Sequence, residues 1–234
     1  MRVNLYLSDT TSSEIDFAGE IKSFLEDTFS VEVDLRGDFF QEHPSDDVPH
    51  RLARMRVRHP LRREFREPHP VEVEAERRRL REPMGIVYDG VEFLKLCLSL
   101  RGVRENEYDI IVTNRLLATY SDGRYHLRMV VMGPLAAISF RGIWDAPAPP
   151  AKCYIRQVCS GLPRDAVATE PPDREKAMKM LLSQILFYRA FGMPFCDVPT
   201  CMLKNPHRWE EFGEVEDFCP RHRAMLEELP WKRR

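Results

Sequence analysis

Val3-Asn4-Leu5-Tyr6-Leu7 alternates apolar and polar positions, the period-two signature of a half-buried strand. Ser12-Ser13-Glu14 then offers caps for a helix through Ile15, Phe17, Ile21, Phe24 and Leu25, apolar at helical spacing. Val31-Glu32-Val33-Asp34-Leu35 alternates again, and a strand–helix–strand opening favours parallel pairing with the helix on one face. Regularity returns at Tyr88. Asp89 can cap a helix through Val91, Phe93, Leu94, Leu96, Leu98 and Leu100, with Cys97 on its apolar face as a core thiol. Tyr108–Thr113 is a continuous run of strand length, predicted to be buried on both faces. Ser121-Asp122-Gly123 marks a turn between Leu116–Tyr120 and His126–Met132, and Leu135–Phe140 supplies a further strand. Pro171-Pro172-Asp173 opens a long helix carrying Ala177, Met178, Leu181, Leu182, Ile185, Leu186 and Phe187, closed by Gly192 in the left-handed conformation. A short helix around Ala224–Leu229 is predicted near the end.

Residues 41–83 interrupt this order. Between Arg51 and Arg81 stand eleven arginines, no lysine and five glutamates, a local balance of +6, with prolines at 60, 68 and 70. Two readings follow. One is a basic arm for nucleic acid or an acidic partner. The other is a solvated insertion in which Glu72, Glu74 and Glu76 pair with some of the arginines on a helix or ribbon. Phe65 is the one aromatic residue of the stretch, which offers little for base stacking.

Over the 234 residues, 43% are hydrophobic and 31% charged, and the formal net charge is -2. That is the profile of a globular protein with a sizeable core, without bulk attraction to nucleic acid or membranes. No apolar run approaches the roughly 20 residues that span a bilayer. The chain enters its first strand directly rather than through a signal peptide's apolar stretch. The expectation is therefore a cytoplasmic protein whose six cysteines are reduced thiols or metal ligands. Cys153 and Cys159, in the proline-rich stretch 144–172, read as free thiols. His43, His50, His59 and His69 with Asp46 and Asp47 form a further conceivable metal set, but their spacing is irregular.

The tail carries the chemistry. Cys196 and Cys201 are spaced C-x4-C, and Cys219 and His222 are spaced C-x2-H after a seventeen-residue interval. Two close pairs of soft donors joined by a loop are what a tetrahedral Zn²⁺ site requires. His207 is an alternative fourth ligand to His222. The competing reading is a small metal-free thiol core, although the loop Lys204–Phe218 looks too polar to organise itself.

The same residues carry a resemblance to the archaemetzincins, a metzincin-clan family of zinc metallopeptidases. Their signature is HExxHxxGxxHC, then x4-C-x-M, a spacer and C-x2-C. Anchored on Cys196, the pattern places its glycine on Gly192, its next cysteines on Cys201 and Cys219, and its last on His222. The order of the upstream elements also fits, apart from the arginine-rich insertion. The resemblance implies an α+β fold, with a twisted mixed sheet packed with helices over residues 1–192 and a small zinc-bound subdomain over 193–234. It also implies one structural Zn²⁺. The peptidase residues do not carry over. The first histidine position holds Ile185, the glutamate Leu186, the second histidine Arg189 and the third Phe195. Ile and Phe offer no lone pair, Leu cannot accept a proton, and a guanidinium repels a cation. Met202 follows Cys201 directly, with Leu203 at the family's methionine position. The expectation is a degenerate, inactive peptidase site whose former cleft, lined by Ile185, Arg189 and Phe195, binds a peptide or protein partner. The alternative is a nucleic-acid- or ribonucleoprotein-associated module built on the Arg51–Arg81 arm.

Overall fold

Alternate side chains of three central strands enter two different cores, so the main sheet is covered on both faces. The computed structural model describes residues 1–8, 15–78, 86–140, 173–205 and 210–232. Strand β1 (Arg2–Leu7) leads through helix α1 (Ala18–Phe29) to β2 (Glu32–Arg36), which pairs parallel to it as expected. Strand β4 (Glu107–Thr113) lies on the other side of β1, followed by β8 (Ala136–Ser139) and the antiparallel edge strand β7 (Val130–Met132). The resulting five-stranded mixed sheet has the order β2-β1-β4-β8-β7. Val3 lies opposite Tyr108 and Leu5 opposite Ile110. With Val112 and Ile138 they pack on α1 and the long helix α6 (Arg174–Phe191). One residue along, Tyr6, Ile111 and Ala137 face the opposite way, onto Phe39 and Phe40 of α2 (Phe39–Glu42), Leu52 of α3 (Val48–Arg54) and Phe93 and Leu96 of α5 (Gly90–Arg101). This is the two-residue period of a pleated strand, used on both sides.

A second, three-stranded sheet has the order β3 (Val87–Asp89), β5 (Leu116–Ser121), β6 (Arg124–Arg128). Asp122 and Gly123 join β5 to β6 with φ of +50° and +76°, the left-handed pair that a tight two-residue hairpin needs. The run His126–Met132, expected as one strand, is divided between β6 and β7, which belong to different sheets.

Caps explain several helix boundaries. The Asp89 carboxylate accepts from the amides of Val91 and Glu92 at 3.0 Å, starting α5. Asp173 accepts from Lys176 N at 2.7 Å, starting α6, and Gly192 ends that helix at φ +69°. The predicted cap Ser12–Glu14 lies outside the described residues, as do Pro171, Pro172, Cys153 and Cys159. Helix α1 itself begins after Phe17, which makes no side-chain cap.

The described part of the arginine-rich segment is not a free arm. It contains α3, which the sequence pattern did not reveal, and α4 (Pro70–Arg77), which takes the helical form of the expected helix or ribbon. Glu72, Glu74 and Glu76 pair with arginines as the second reading expected. Arg58 Nη2 donates to Glu72 at 2.6 Å, and Arg77 and Arg78 reach Glu74 at 2.9 and 2.8 Å. Glu76 goes further, because its carboxylate is buried. It accepts from Arg56 Nε and Nη2 at 2.9 and 2.6 Å and from the Tyr88 hydroxyl at 2.7 Å, and its other oxygen lies 3.5 Å from Arg115 Nη2. These charges stitch α4 to β3 and to the residues after β4. A buried carboxylate is tolerable because several donors replace its hydration shell.

The four upstream histidines are dispersed in separate roles. His43 packs on Phe39, and its Nε2 lies 3.4 Å from the Tyr6 hydroxyl. His50 pairs with Glu67 at 2.6 Å, His59 accepts from Leu61 N at 3.1 Å, and His69 caps α4. The metal set suggested for them with Asp46 and Asp47 is therefore wrong. His50 approaches Asp47 at 4.0 Å, but no third donor joins them, and among the described residues the only group that could hold a metal lies in the tail.

Candidate metal centre

Helix α6 supplies the floor. Ile185, Leu186 and Phe187 are fully buried, and the tail residues Cys201, Leu203, Phe212, Val215, Phe218, Leu226 and Leu229 join the same core. Residues on both sides of position 192 thus contribute to one hydrophobic interior. The loop expected to be too polar to fold by itself contains a helix, α7 (Glu210–Glu214), held by buried Phe212 and Val215. The last helix, α8 (Pro220–Glu227), begins earlier than the expected Ala224, with Pro220 in its first turn and Cys219 just before it.

Short main-chain bonds turn the two knuckles toward each other. Cys196 N donates to Leu203 O at 2.8 Å, and Lys204 N to Cys201 O at 2.7 Å. Met202 N donates to Asp217 O at 2.9 Å, and Glu216 N to Thr200 O at 3.0 Å, fastening the first knuckle to the approach of the second. The Gln184 amide of α6 reaches Lys204 O at 2.7 Å. That residue was not singled out from the sequence, although a glutamine inside an apolar helical face was a readable signal.

One donor atom from each of Cys196, Cys201, Cys219 and His222 lies within 4.8 Å of all the others. The Sγ atoms of Cys196 and Cys219 are 4.0 Å apart. His222 Nδ1 stands 3.6 Å from Cys201 Sγ and 3.1 Å from Cys219 Sγ. Tetrahedral Zn²⁺, with bonds of about 2.3 Å to sulfur and 2.0 Å to nitrogen, separates neighbouring donors by about 3.5–3.8 Å. The observed set is close to that size, and its chemistry, three thiols and an imidazole, suits the ion. Amides are also turned toward the sulfurs, with Cys219 N 3.5 Å from Cys201 Sγ and Val198 N 3.4 Å from Cys196 Sγ. Such contacts orient thiolate ligands and share their charge. The residues therefore fit a closed divalent-metal site with no coordination position left for a substrate. The alternative ligand His207 lies outside the described residues.

Protonation is uneven across the four donors, and a thiol must lose its proton to ligate a metal. Burial pushes the Cys201 thiol up to about 11, so this sulfur is not a free thiolate without an ion. Burial also raises Cys219, but the amides of His222 and Arg221 and the neighbouring thiols outweigh it and bring the thiol below its usual range. Burial, with the Arg221 charge second, holds His222 below the ordinary histidine value, favouring the neutral ring that can ligate.

The positions compared with a peptidase helix are placed differently from one another. Ile185 is fully buried in the core and presents no surface to a cleft, and Leu186 is likewise buried. Arg189 is exposed, its guanidinium 5.4 Å from the centre of the Tyr108 ring. Phe195 is 48% exposed on the loop after Gly192. Of the three residues expected to line a cleft, only Arg189 and Phe195 reach the surface. No helix among the described residues is long and apolar enough to cross a membrane.

The model of a probable metallopeptidase family, DUF6775, matches residues 1–229. The chain is 14% identical to archaemetzincin from Methanopyrus kandleri, covering 97% of this chain and 94% of that one with a TM-score of 0.49. It is 13% identical to a zinc-dependent peptidase from Methanocorpusculum labreanum, covering 96% of this chain and 99% of that one, also with a TM-score of 0.49. No curated protein matches the chain.

Proposed function

The chain belongs to the probable metallopeptidase family DUF6775, and from that premise we propose that it is a zinc-binding protein without peptidase chemistry, in which one structural Zn²⁺ clamps the tail. The observation that carries this reading is the contrast between two sets of residues. Cys196, Cys201, Cys219 and His222 converge with donor spacing suited to a closed tetrahedral site. By the sequence resemblance, Ile185, Leu186, Arg189 and Phe195 take the positions at which the archaemetzincin signature has its three histidines and its glutamate. When bound, the ion would contribute cross-linking energy to the fold, and a four-ligand closed site has no vacancy for an attacking water. Hydrolysis by the zincin route needs an open position and a carboxylate base, and this surface offers a cation and apolar groups in their place.

The function left to the former cleft is recognition of a protein or peptide. Arg189 is exposed in the last turn of α6, where a cation also complements the helix dipole. Its planar guanidinium is suited to a carboxylate. Exposed Met193, Phe195 and Val198 on the following loop offer apolar contacts. No specific observation favours the nucleic-acid alternative. It draws on the arginine count alone, and Arg56, Arg58, Arg63, Arg77 and Arg78 are each paired with a carboxylate.

Elemental analysis of the purified chain, joined to a peptidase assay with and without added zinc, tests the reading. One zinc per chain and no cleavage are expected. Chelator-sensitive cleavage abolished by Arg189→Ala, or a folded chain devoid of metal, would overturn it.

A further inference from the structure

The four donor atoms of the tail cluster are unequal in one respect that matters chemically. Cys201 is fully buried and His222 nearly so, whereas Cys196 and Cys219 are both partly exposed. Those two accessible sulfurs also face each other at 4.0 Å. Each sits at an edge of the knuckle. Cys196 follows the exposed stretch Met193–Phe195, and Cys219 stands immediately before α8. Their backbones are separately anchored, Cys196 N on Leu203 O and Cys219 O by Arg223 N at 2.9 Å.

We propose that Cys196 and Cys219 form a redox-modification site, in which a two-electron oxidant of the hydroperoxide class joins them as a disulfide and expels the metal. The inference rests on the zinc reading above for its consequence, but the pairing itself rests on accessibility and sulfur separation. Closing the pair requires the sulfurs to approach from 4.0 Å to a bonded length of about 2 Å.

The electron balance is complete with hydrogen peroxide as the named oxidant. One thiolate attacks a peroxide oxygen, the O–O bond breaks, and the departing hydroxide takes a solvent proton to become water. The resulting sulfenic acid is attacked at sulfur by the second thiolate. The S–S bond forms, the S–O bond breaks, and that hydroxide leaves as a second water. Two sulfurs lose two electrons in all, and the peroxide gains them. Only Cys201 and His222 then remain to hold the ion, too few for a closed zinc site.

The experiment uses the full chain, both as wild type and with Cys153→Ser and Cys159→Ser to remove competing thiols. Zinc content is measured first. Peroxide is then titrated while released zinc is read with a chromogenic chelator, and disulfides are mapped by mass spectrometry of unreduced peptides. The expected result is one zinc released per Cys196–Cys219 disulfide, reversed by dithiothreitol and added zinc. In Cys196→Ser that disulfide is absent. Retention of zinc at complete peroxide consumption overturns the inference and leaves the zinc reading standing. A disulfide through Cys201, or sulfinic acid at Cys219 without any disulfide, also overturns it. If the chain is isolated without zinc, the zinc reading fails and the disulfide map alone decides the pairing, which stands only on a Cys196–Cys219 link. Should the double serine variant not fold, the same map on the wild type decides, since the Cys153 and Cys159 peptides differ in mass.

Discussion

His222 meets the ring of Phe187 edge-on, with centroids 5.5 Å apart and planes at 88°. Phe187 lies about one turn from the C-terminal end of α6, so a tail residue poised to hold a metal leans directly on the helix that packs against the main sheet. Phe187 also stacks on Phe218, 5.6 Å away, and stands edge-on to Phe29 of α1 at 6.0 Å. The imidazole is therefore oriented by an aromatic cluster that belongs to the core. Trp231 Nε1 adds a bond to Phe29 O at 2.8 Å, tying the end of the tail to α1. The candidate metal site and the core packing form one structural unit in this protein.

Phe187→Ala should destabilise the chain by about 3–5 kcal/mol, as expected for deleting a fully buried aromatic side chain. It should also weaken metal retention, because His222 loses the surface that fixes its ring. Urea unfolding and competition with a zinc chelator would measure the two effects. Full metal retention in this variant would show that the ring contact has no part in orienting the ligand.

Removal of the ion should lower the unfolding temperature and loosen the tail more than the body. Binding to the folded state alone stabilises by about 2.7 kcal/mol when free ligand is a hundredfold above Kd. Hydrogen exchange after chelation should show faster exchange at Cys201, Met202 and Glu216, whose amides are bonded within the knuckles. Exchange at Ile110 and Ile111 in the central strand should not change. Readdition of zinc should restore both the melting temperature and the protection.

Several elements were legible in the sequence for simple reasons. The apolar run at Tyr108–Thr113, the Asp89 cap and Gly192 each reflect a local geometric requirement and appear in place. The alternation at Val3–Leu7 located a strand but not its burial, since Asn4 and Tyr6 are as buried as Val3 and Leu5 and the strand is covered on both faces rather than half-buried. The convergence of the tail donors was legible too, because the C-x4-C and C-x2-H spacings are themselves short-range. Helix α3 was not, since Val48 and Leu52 are few apolar residues among many charges, and α4 was legible only as a helix or ribbon, because its one buried residue is Glu76. Its partner Arg115 lies 39 residues away, beyond any periodicity. The division of His126–Met132 escaped for another reason: a continuous strand-like pattern carries no mark where the chain changes sheets. Ile185 illustrates the opposite error, an alignment position taken for a cleft residue that packing has drawn into the core.

Glu76→Ala should cost about 3–5 kcal/mol, the scale for removing one partner of a buried, hydrogen-bonded ion pair. The change strips Arg56 of two hydrogen bonds and leaves the Tyr88 hydroxyl, which is buried, without its acceptor. Arg77→Ala, which removes an exposed partner of Glu74, should leave the denaturation midpoint unchanged. Equal effects from the two substitutions would mean that the Glu76 network contributes no more than a surface pair.

Acid should weaken the docking of α4 through Glu72. The Arg58 hydrogen bond is the main influence on this carboxylate; burial opposes it, the His69 amide and the Arg58 and Arg56 charges assist it, and the net effect holds it below its ordinary value of 4.5. A lowered folded-state pKa means that folding favours the ionised form. Its contribution is present above pH 4.5 and is lost as the pH falls through the lower folded value. Asp109 acts in the opposite sense, because burial raises its pKa. Its contribution is present at acid pH, below the ordinary aspartate value of 3.8, and is lost as the pH rises through the raised value. The two are separable by mutation. Glu72→Gln should be less stable than wild type at pH 7, since the Arg58 partner loses its charge, and the gap should narrow as the pH is brought below 4.5. Urea midpoints of both proteins at pH 7 and at successive acid values would reveal this convergence. Parallel curves over the whole range would assign the acid sensitivity to other carboxylates.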